Sequence, residues 1–343
     1  MNPLKVYNIY MNKTIVFYCS HQHGDLLQTR QGARYIVNQL GSSYKYYFIH
    51  GKDPDSIFVA ENVEILTPPC DFHGRSLESV KKFFIESFYP FLKDAIWLDI
   101  WVGSIRGAFN YTLPEGGSRV LLPVSNGKYS LQHSEEIKFN NYWHVRMYQE
   151  RIAELNEQLA LNFSTVQLRP PTTTDLIVKW NSNPKNKALA DDLLNKNKDF
   201  DLSVLICNGK TQSQQNTNFI YEDILREFIS KHKNVCFYLT SKLSEIKSDN
   251  VFYVDDYFPL PNLSEIEYLT KFCNVIVHSY SGPAHCSTTE EVLNDPSKTV
   301  ISFCYFSFPP YYEDYKYNFV QIEDFSAENV LNVISSNILE KLN

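Results

Sequence analysis

The sequence predicts an α/β protein of two doubly wound domains facing each other across a central cleft, and three observations predict it. Short apolar, β-branched runs alternate with amphipathic helical stretches along most of the chain. The alternation pauses once, at the extended, proline-marked segment Gln167-Leu-Arg-Pro-Pro-Thr-Thr-Thr174, and then restarts. At 343 residues there is room for two cores of ordinary size. The division therefore falls at 166/167, into an N-terminal domain over 1–166 and a C-terminal domain over 167–343, with the last helix able to pack back on the first domain.

The elements follow in order. Thr14–Cys19 is an apolar strand, and the polar loop Ser20-His21-Gln22-His23-Gly24 leaves it. A helix follows from Asp25 to about Leu40: Leu26, Leu27, Ala33, Ile36, Val37 and Leu40 fall on one helical stripe, while Gln28, Arg30, Gln31 and Arg34 face away from it. Strand-like runs recur at Tyr46–His50, Val63–Leu66, Ala95–Trp101 and Val120–Val124, with a helix near Ser76–Lys93, and a long helical pattern from Tyr142 to about Leu161 closes this half. Past the pause, strands are expected at Leu202–Cys207, Val235–Thr240, Val251–Val254, Asn274–His278 and Thr299–Cys304. Helices are expected at Phe219–Lys231, Leu263–Phe272, Pro283–Asn294 and Ser326–Leu342. Strands that alternate with helices imply parallel sheets covered on both faces.

Composition narrows the function. Hydrophobic content of 43% with 15% aromatics is globular, and a net charge of −7 without a local Lys/Arg cluster gives no electrostatic footprint for nucleic acid. The seven cysteines are scattered, none in a Cys-x-x-Cys pair, and four lie in apolar runs. That is the pattern of buried free thiols in a reducing compartment, so a cytoplasmic protein is expected. No run approaches the ~18 apolar residues of a spanning helix.

In sheets of this kind ligands sit beyond the carboxyl ends of the strands. Three polar loops satisfy that rule: Ser20–Asp25, Asn208–Asn218 and His278–His285. The last is the most informative. The run Val275-Ile-Val277 ends at polar residues, turns at Ser281-Gly282 and enters a helix through Pro283. Backbone N–H groups left unpaired at such a helix start, together with the helix dipole, favour a phosphate. Of the 12 glycines only Gly209 and Gly282 lie beyond Gly127, which marks both as backbone positions intolerant of a side chain.

Two segments carry a resemblance to a known family. Gly24-Asp25-Leu26-Leu27-Gln28-Thr29, opening the first helix, looks like the Gly-Asp motif of the family 9 glycosyltransferases, the group that includes lipopolysaccharide heptosyltransferases. Ser281-Gly282-Pro283-Ala284-His285 looks like that family's Ser/Thr-Gly-Pro-x-His signature. The resemblance implies a GT-B fold, two Rossmann-like domains, and transfer of a sugar from a nucleotide-diphosphate donor to a glycan, lipid-linked or other hydroxyl acceptor. It implies inversion, no metal or other cofactor, and a position peripheral to a membrane if the acceptor is lipid-linked. Asp25 then corresponds to the general base, and Ser281, Gly282, Ala284 and His285 to the site of the donor diphosphate. Gly209 and Lys210 are further diphosphate candidates, since members often carry a basic residue in the loop after the first strand of the second domain. Members usually place an acidic residue immediately before Ser/Thr-Gly-Pro; here it is Tyr280, which with Glu290 is a candidate for donor sugar or ribose. His21, His23, Gly24 and Arg106 are acceptor-side candidates.

Each assignment has a plainer reading beside it. Asp25 also suits a helix N-cap, His21 and His23 a solvated loop, His278 a satisfied core histidine, and Gly209-Lys210 an ordinary strand-to-helix turn. Glu290-Glu291, on the helix after a Ser-Gly turn, keeps open a nucleotide-sugar 2-epimerase on the same fold. Tyr280 keeps open a non-catalytic nucleotide-sugar or glycan-binding protein.

Overall fold

The computed structural model describes residues 13–19, 23–50, 60, 62–66, 87, 95–98, 120–121, 149, 152–153, 156, 167–176, 184–196, 198–209, 222–242, 246–258, 263–279, 284, 286–287, 289–303, 315–322 and 324–343. Its strands fall into two all-parallel sheets. The first contains β1 (Lys13–Cys19), β2 (Tyr44–His50), β3 (Val63–Leu66), β4 (Ile96–Leu98) and β5 (Val120–Leu121) in the order β3-β2-β1-β4-β5. The second contains β6 (Leu202–Ile206), β7 (Val235–Leu239), β8 (Val251–Tyr253), β9 (Val275–Ser279), β10 (Thr299–Phe303) and β11 (Asn318–Ile322) in the order β11-β10-β9-β6-β7-β8. Both sheets start from a central strand, grow to one side, and return to the other side of it. That is the doubly wound order, twice.

The strands of the second sheet show why the sequence folds this way. In β6, β9 and β10 the side chains alternate between two cores, and nearly every residue is buried. Val204, Ile206, Val275, Val277 and Ile301 face one core, closed by α4 (Glu222–Lys231) and α7 (Ala327–Leu342). Leu205, Ile276 and Val300 face the other, which also takes in Ile15 and Phe17 of β1 and Leu27 and Ile36 of α1 (His23–Leu40). Val330, Ile334 and Ile338 of α7 lie in the first of these cores, so the buried face of the last helix packs on the second sheet.

The segment 167–176 is moored along its length, which its proline content does not announce. Leu168 is buried, and its N–H and C=O are both taken by the Asn156 side chain, at 2.7 and 2.5 Å. The Pro171 carbonyl accepts from Gln149 Nε2 at 2.8 Å, and Tyr35 Oη of α1 donates to the Arg169 carbonyl. A short helix, α2 (Thr173–Leu176), then begins behind Thr172, whose N–H and hydroxyl both donate to Asp175.

Three differences from the sequence reading stand out. α3 (Pro184–Asn195) and β11 were not expected, and the helix expected over Pro283–Asn294 is interrupted. Ala284 and Cys286 are helical, but Ser287 is in a turn and Thr289 is extended (φ −77°, ψ 156°) ahead of α6 (Glu290–Leu293). The Ser287 hydroxyl donates back to the Ala284 carbonyl at 2.8 Å, an alternative to helical pairing that hydroxyl residues favour. Among the described residues no helix is long and apolar enough to cross a membrane.

Candidate functional site

Strand order locates the site before any side chain is considered. In the first sheet the winding reverses between β1 and β4, and in the second between β6 and β9. Crevices open at the carboxyl ends of the strands flanking such reversals. The three loops singled out from the sequence leave β1, β6 and β9, and Arg106 follows β4. All four therefore belong to strands at a reversal. His23, Gly24 and Asp25 form the first turn of α1, so Asp25 lies inside the helix rather than at its cap. His21, Arg106, Lys210, Tyr280, Ser281, Gly282 and His285 lie outside the described residues.

The exit from β6 is stitched to the exit from β7. Asn208 is buried; its Oδ1 accepts from Ser241 N–H at 2.9 Å and from the Thr240 hydroxyl at 3.3 Å, while its Nδ2 donates to the Ser241 carbonyl at 2.9 Å. Gly209 follows directly, and a Cβ there would stand 3.2 Å from Ser241 Oγ. Close approach to the neighbouring loop, not a left-handed backbone, accounts for the glycine. Asn208 was not singled out from the sequence; its place directly after the apolar run Leu202–Cys207 was the available signal.

Next to the end of β9 stands His278, which is buried and held neutral: burial pushes its pKa down to about 4. Its Nδ1 lies 3.2 Å from the Ser279 carbonyl and its Nε2 lies 3.4 Å from Ser287 Oγ. The ring is thus a satisfied core histidine, and it braces the segment that follows the turn. Ala284, a diphosphate candidate, is buried beside it and accepts from Ser287 through its carbonyl. Glu290 opens α6, and Glu291 pairs with Lys271 at 3.0 Å. Cys207 and Cys286 are fully buried free thiols raised above their ordinary pKa by burial, so neither offers a thiolate to the site.

The third component joins the two domains. α5 (Leu263–Thr270) is buried at every residue, including Glu265 and Glu267. Glu267 takes Arg30 of α1 in a two-point fork, 2.7 and 3.0 Å, with the side chains 2% and 1% exposed. Thr29 and Gln31 are buried beside it, and Arg34 is pulled down to about 10 by burial, then by Arg30, with Glu267 partly opposing. Through Arg30, the polar side of α1 therefore reaches the second domain. No local signal could have paired Arg30 with a residue 237 positions away.

The chain matches no protein-family profile and no curated protein sequence. Solved structures do match, over nearly their full lengths. A glycosyl transferase family 9 protein from Veillonella parvula is 12% identical, with 96% of this chain and 97% of that chain covered and a TM-score of 0.54. The E. coli ADP-heptose lps heptosyltransferase II is 13% identical, covering 96% and 100%, with a TM-score of 0.53. The E. coli heptosyltransferase WaaC with ADP is 14% identical, covering 94% and 99%, with a TM-score of 0.50. At such identities the likeness is one of fold: the chain has the GT-B arrangement of two Rossmann-like domains.

Proposed function

We propose that this protein is a glycosyltransferase that moves a sugar from a nucleotide-diphosphate donor to an acceptor hydroxyl, with inversion and without a metal. One observation carries the reading: the two motif loops, 20–25 and 278–285, leave strands at the winding reversals of two sheets in a GT-B arrangement. The acceptor oxygen attacks the anomeric carbon, the bond from that carbon to the diphosphate breaks, and the diphosphate departs with the bonding pair. Asp25, at the start of α1, takes the acceptor proton; a hydroxyl is a poor nucleophile until a placed base removes it. The charge developing on the diphosphate falls to the backbone N–H groups around Ser281, Gly282 and Ala284 and to His285, with Gly209 and Lys210 on the neighbouring loop. Tyr280 and Glu290 stand on the donor-sugar side; His21, His23, Gly24 and Arg106 stand on the acceptor side.

The test begins with a thermal-shift screen of UDP-, GDP-, ADP- and CMP-sugars. A diphosphate donor raises the melting temperature and the monophosphate CMP-sugars do not; no shift with any of them overturns the reading. With the donor in hand, Asp25→Asn is expected to lower kcat by roughly 10²–10⁴-fold while leaving donor affinity intact. EDTA is expected to leave turnover unchanged. Wild-type turnover by folded Asp25→Asn removes Asp25 from the role of base.

A further inference from the structure

The Arg30–Glu267 fork lies outside both motif loops, yet it sits on the mechanical path between them. α1 carries Asp25 in its first turn and Arg30 five residues on, about 7.5 Å along one rigid helix. On the other side, α5 holds Cys286, the residue directly after the signature segment, by two bonds. Cys286 Sγ donates to the Leu263 carbonyl at 3.5 Å, and the Thr270 hydroxyl reaches the Cys286 carbonyl at 3.3 Å. Cys286 immediately follows His285. α5 is in turn fastened to its own sheet, because buried Lys298 donates to the carbonyls of Thr270, Lys271 and Cys273 at 3.0, 2.8 and 2.8 Å, capping the helix end.

We propose that Arg30 and Glu267 are positioning residues that set the register between Asp25 and the donor diphosphate. Turnover then requires the fork to be closed. The inference rests on the transferase reading for its consequence, though not for its geometry. A two-point guanidinium–carboxylate contact fixes angle as well as distance, which a single charge pair or an apolar contact does not. Burial on both sides keeps water from substituting for either partner. Placement matters at this scale, since a misplacement of about 1 Å can cost roughly 100-fold in rate.

Three proteins separate positioning from mere stability: wild type, Arg30→Lys, and the double variant Arg30→Met/Glu267→Leu, in which apolar side chains fill the same space. Each is measured for melting temperature, for affinity toward ADP, GDP and UDP, for turnover of the donor found by thermal shift, and for radius of gyration by solution scattering. The double variant is expected to melt near wild type and to bind nucleotide with unchanged affinity. Its kcat is expected to fall about 100-fold at similar donor KM, and its scattering to broaden. Arg30→Lys keeps the charge but not the fork, and is expected to lose roughly tenfold in kcat. Wild-type kcat in the double variant overturns the proposal. If the double variant fails to fold, wild-type kcat in Arg30→Lys overturns it instead. If no protein turns over any donor, the transferase reading fails. Scattering then decides the fork by itself, and identical profiles for all three proteins overturn it.

Discussion

Two arginine forks grip the same helix in opposite ways. Arg30 leaves α1 and meets Glu267 in a dry seam, the pair 2% and 1% exposed. Arg169 lies across the Tyr35 ring of α1, 5.6 Å from its centroid, and grips Asp175 at 2.6 and 2.5 Å with its side chain 50% exposed. The bond geometries are nearly the same, but the physical consequences are not. An exposed pair gains little, because water competes for both ions and screens them. A buried pair has already lost its hydration, so removing either ion leaves the other without its fork partner and without water. The first fork couples domains; the second tidies a segment that Asn156, Gln149 and Tyr35 already hold.

The sharpest way to break this contrast is to remove one ion from each fork. Glu267→Ala strands a buried guanidinium and is expected to cost about 3–5 kcal/mol in chemical denaturation. A loss below about 1 kcal/mol would mean that water reaches the seam. Asn156→Ala comes next, because it leaves the N–H and C=O of buried Leu168 unpaired; about 1–3 kcal/mol is expected, read from the same denaturation midpoints. Asp175→Asn is the mildest, at about 1 kcal/mol or less. Its signature lies in acid. The Arg169 hydrogen bonds hold the Asp175 carboxyl down at about 2, so its stabilisation is present above its unfolded value near 3.8 and is lost as pH falls through about 2. Wild type should therefore lose more stability than Asp175→Asn between pH 4 and pH 2, and parallel curves would remove the fork from the account.

The same contrast explains what could be read from the sequence. β1, β6, β9 and β10 announce themselves through β-branched runs, because a parallel strand buried on both faces needs apolar residues at successive positions. The strand ends that the motif loops leave were legible because polar residues close those runs. α1 was legible as a helix, but the burial of Thr29, Arg30 and Gln31 was not. Periodicity reports which side of a helix is apolar, and a polar side looks the same whether it meets water or a matching carboxylate. β11 (Asn-Phe-Val-Gln-Ile) is a half-exposed edge strand that follows an aromatic-rich run in the sequence. α3 buries little beyond Ala190 and Leu193 among its described side chains, too few to stand out as a stripe. At the break over Ser287–Thr289 the Ser287 hydroxyl takes the Ala284 carbonyl, a local bond that helical periodicity does not register.

The core that Ile15, Phe17, Leu27 and Ile36 share with Leu205, Ile276 and Val300 has a consequence for how the chain is made. A ribosome adding ~5–20 residues each second emits Arg30 roughly ten to fifty seconds before Glu267. During that interval the inner layer of the first sheet lacks its cover and Arg30 lacks its carboxylate. An N-terminal half made first therefore exposes that apolar layer until the second half covers it. It reaches its native state only when the second half arrives to complete it.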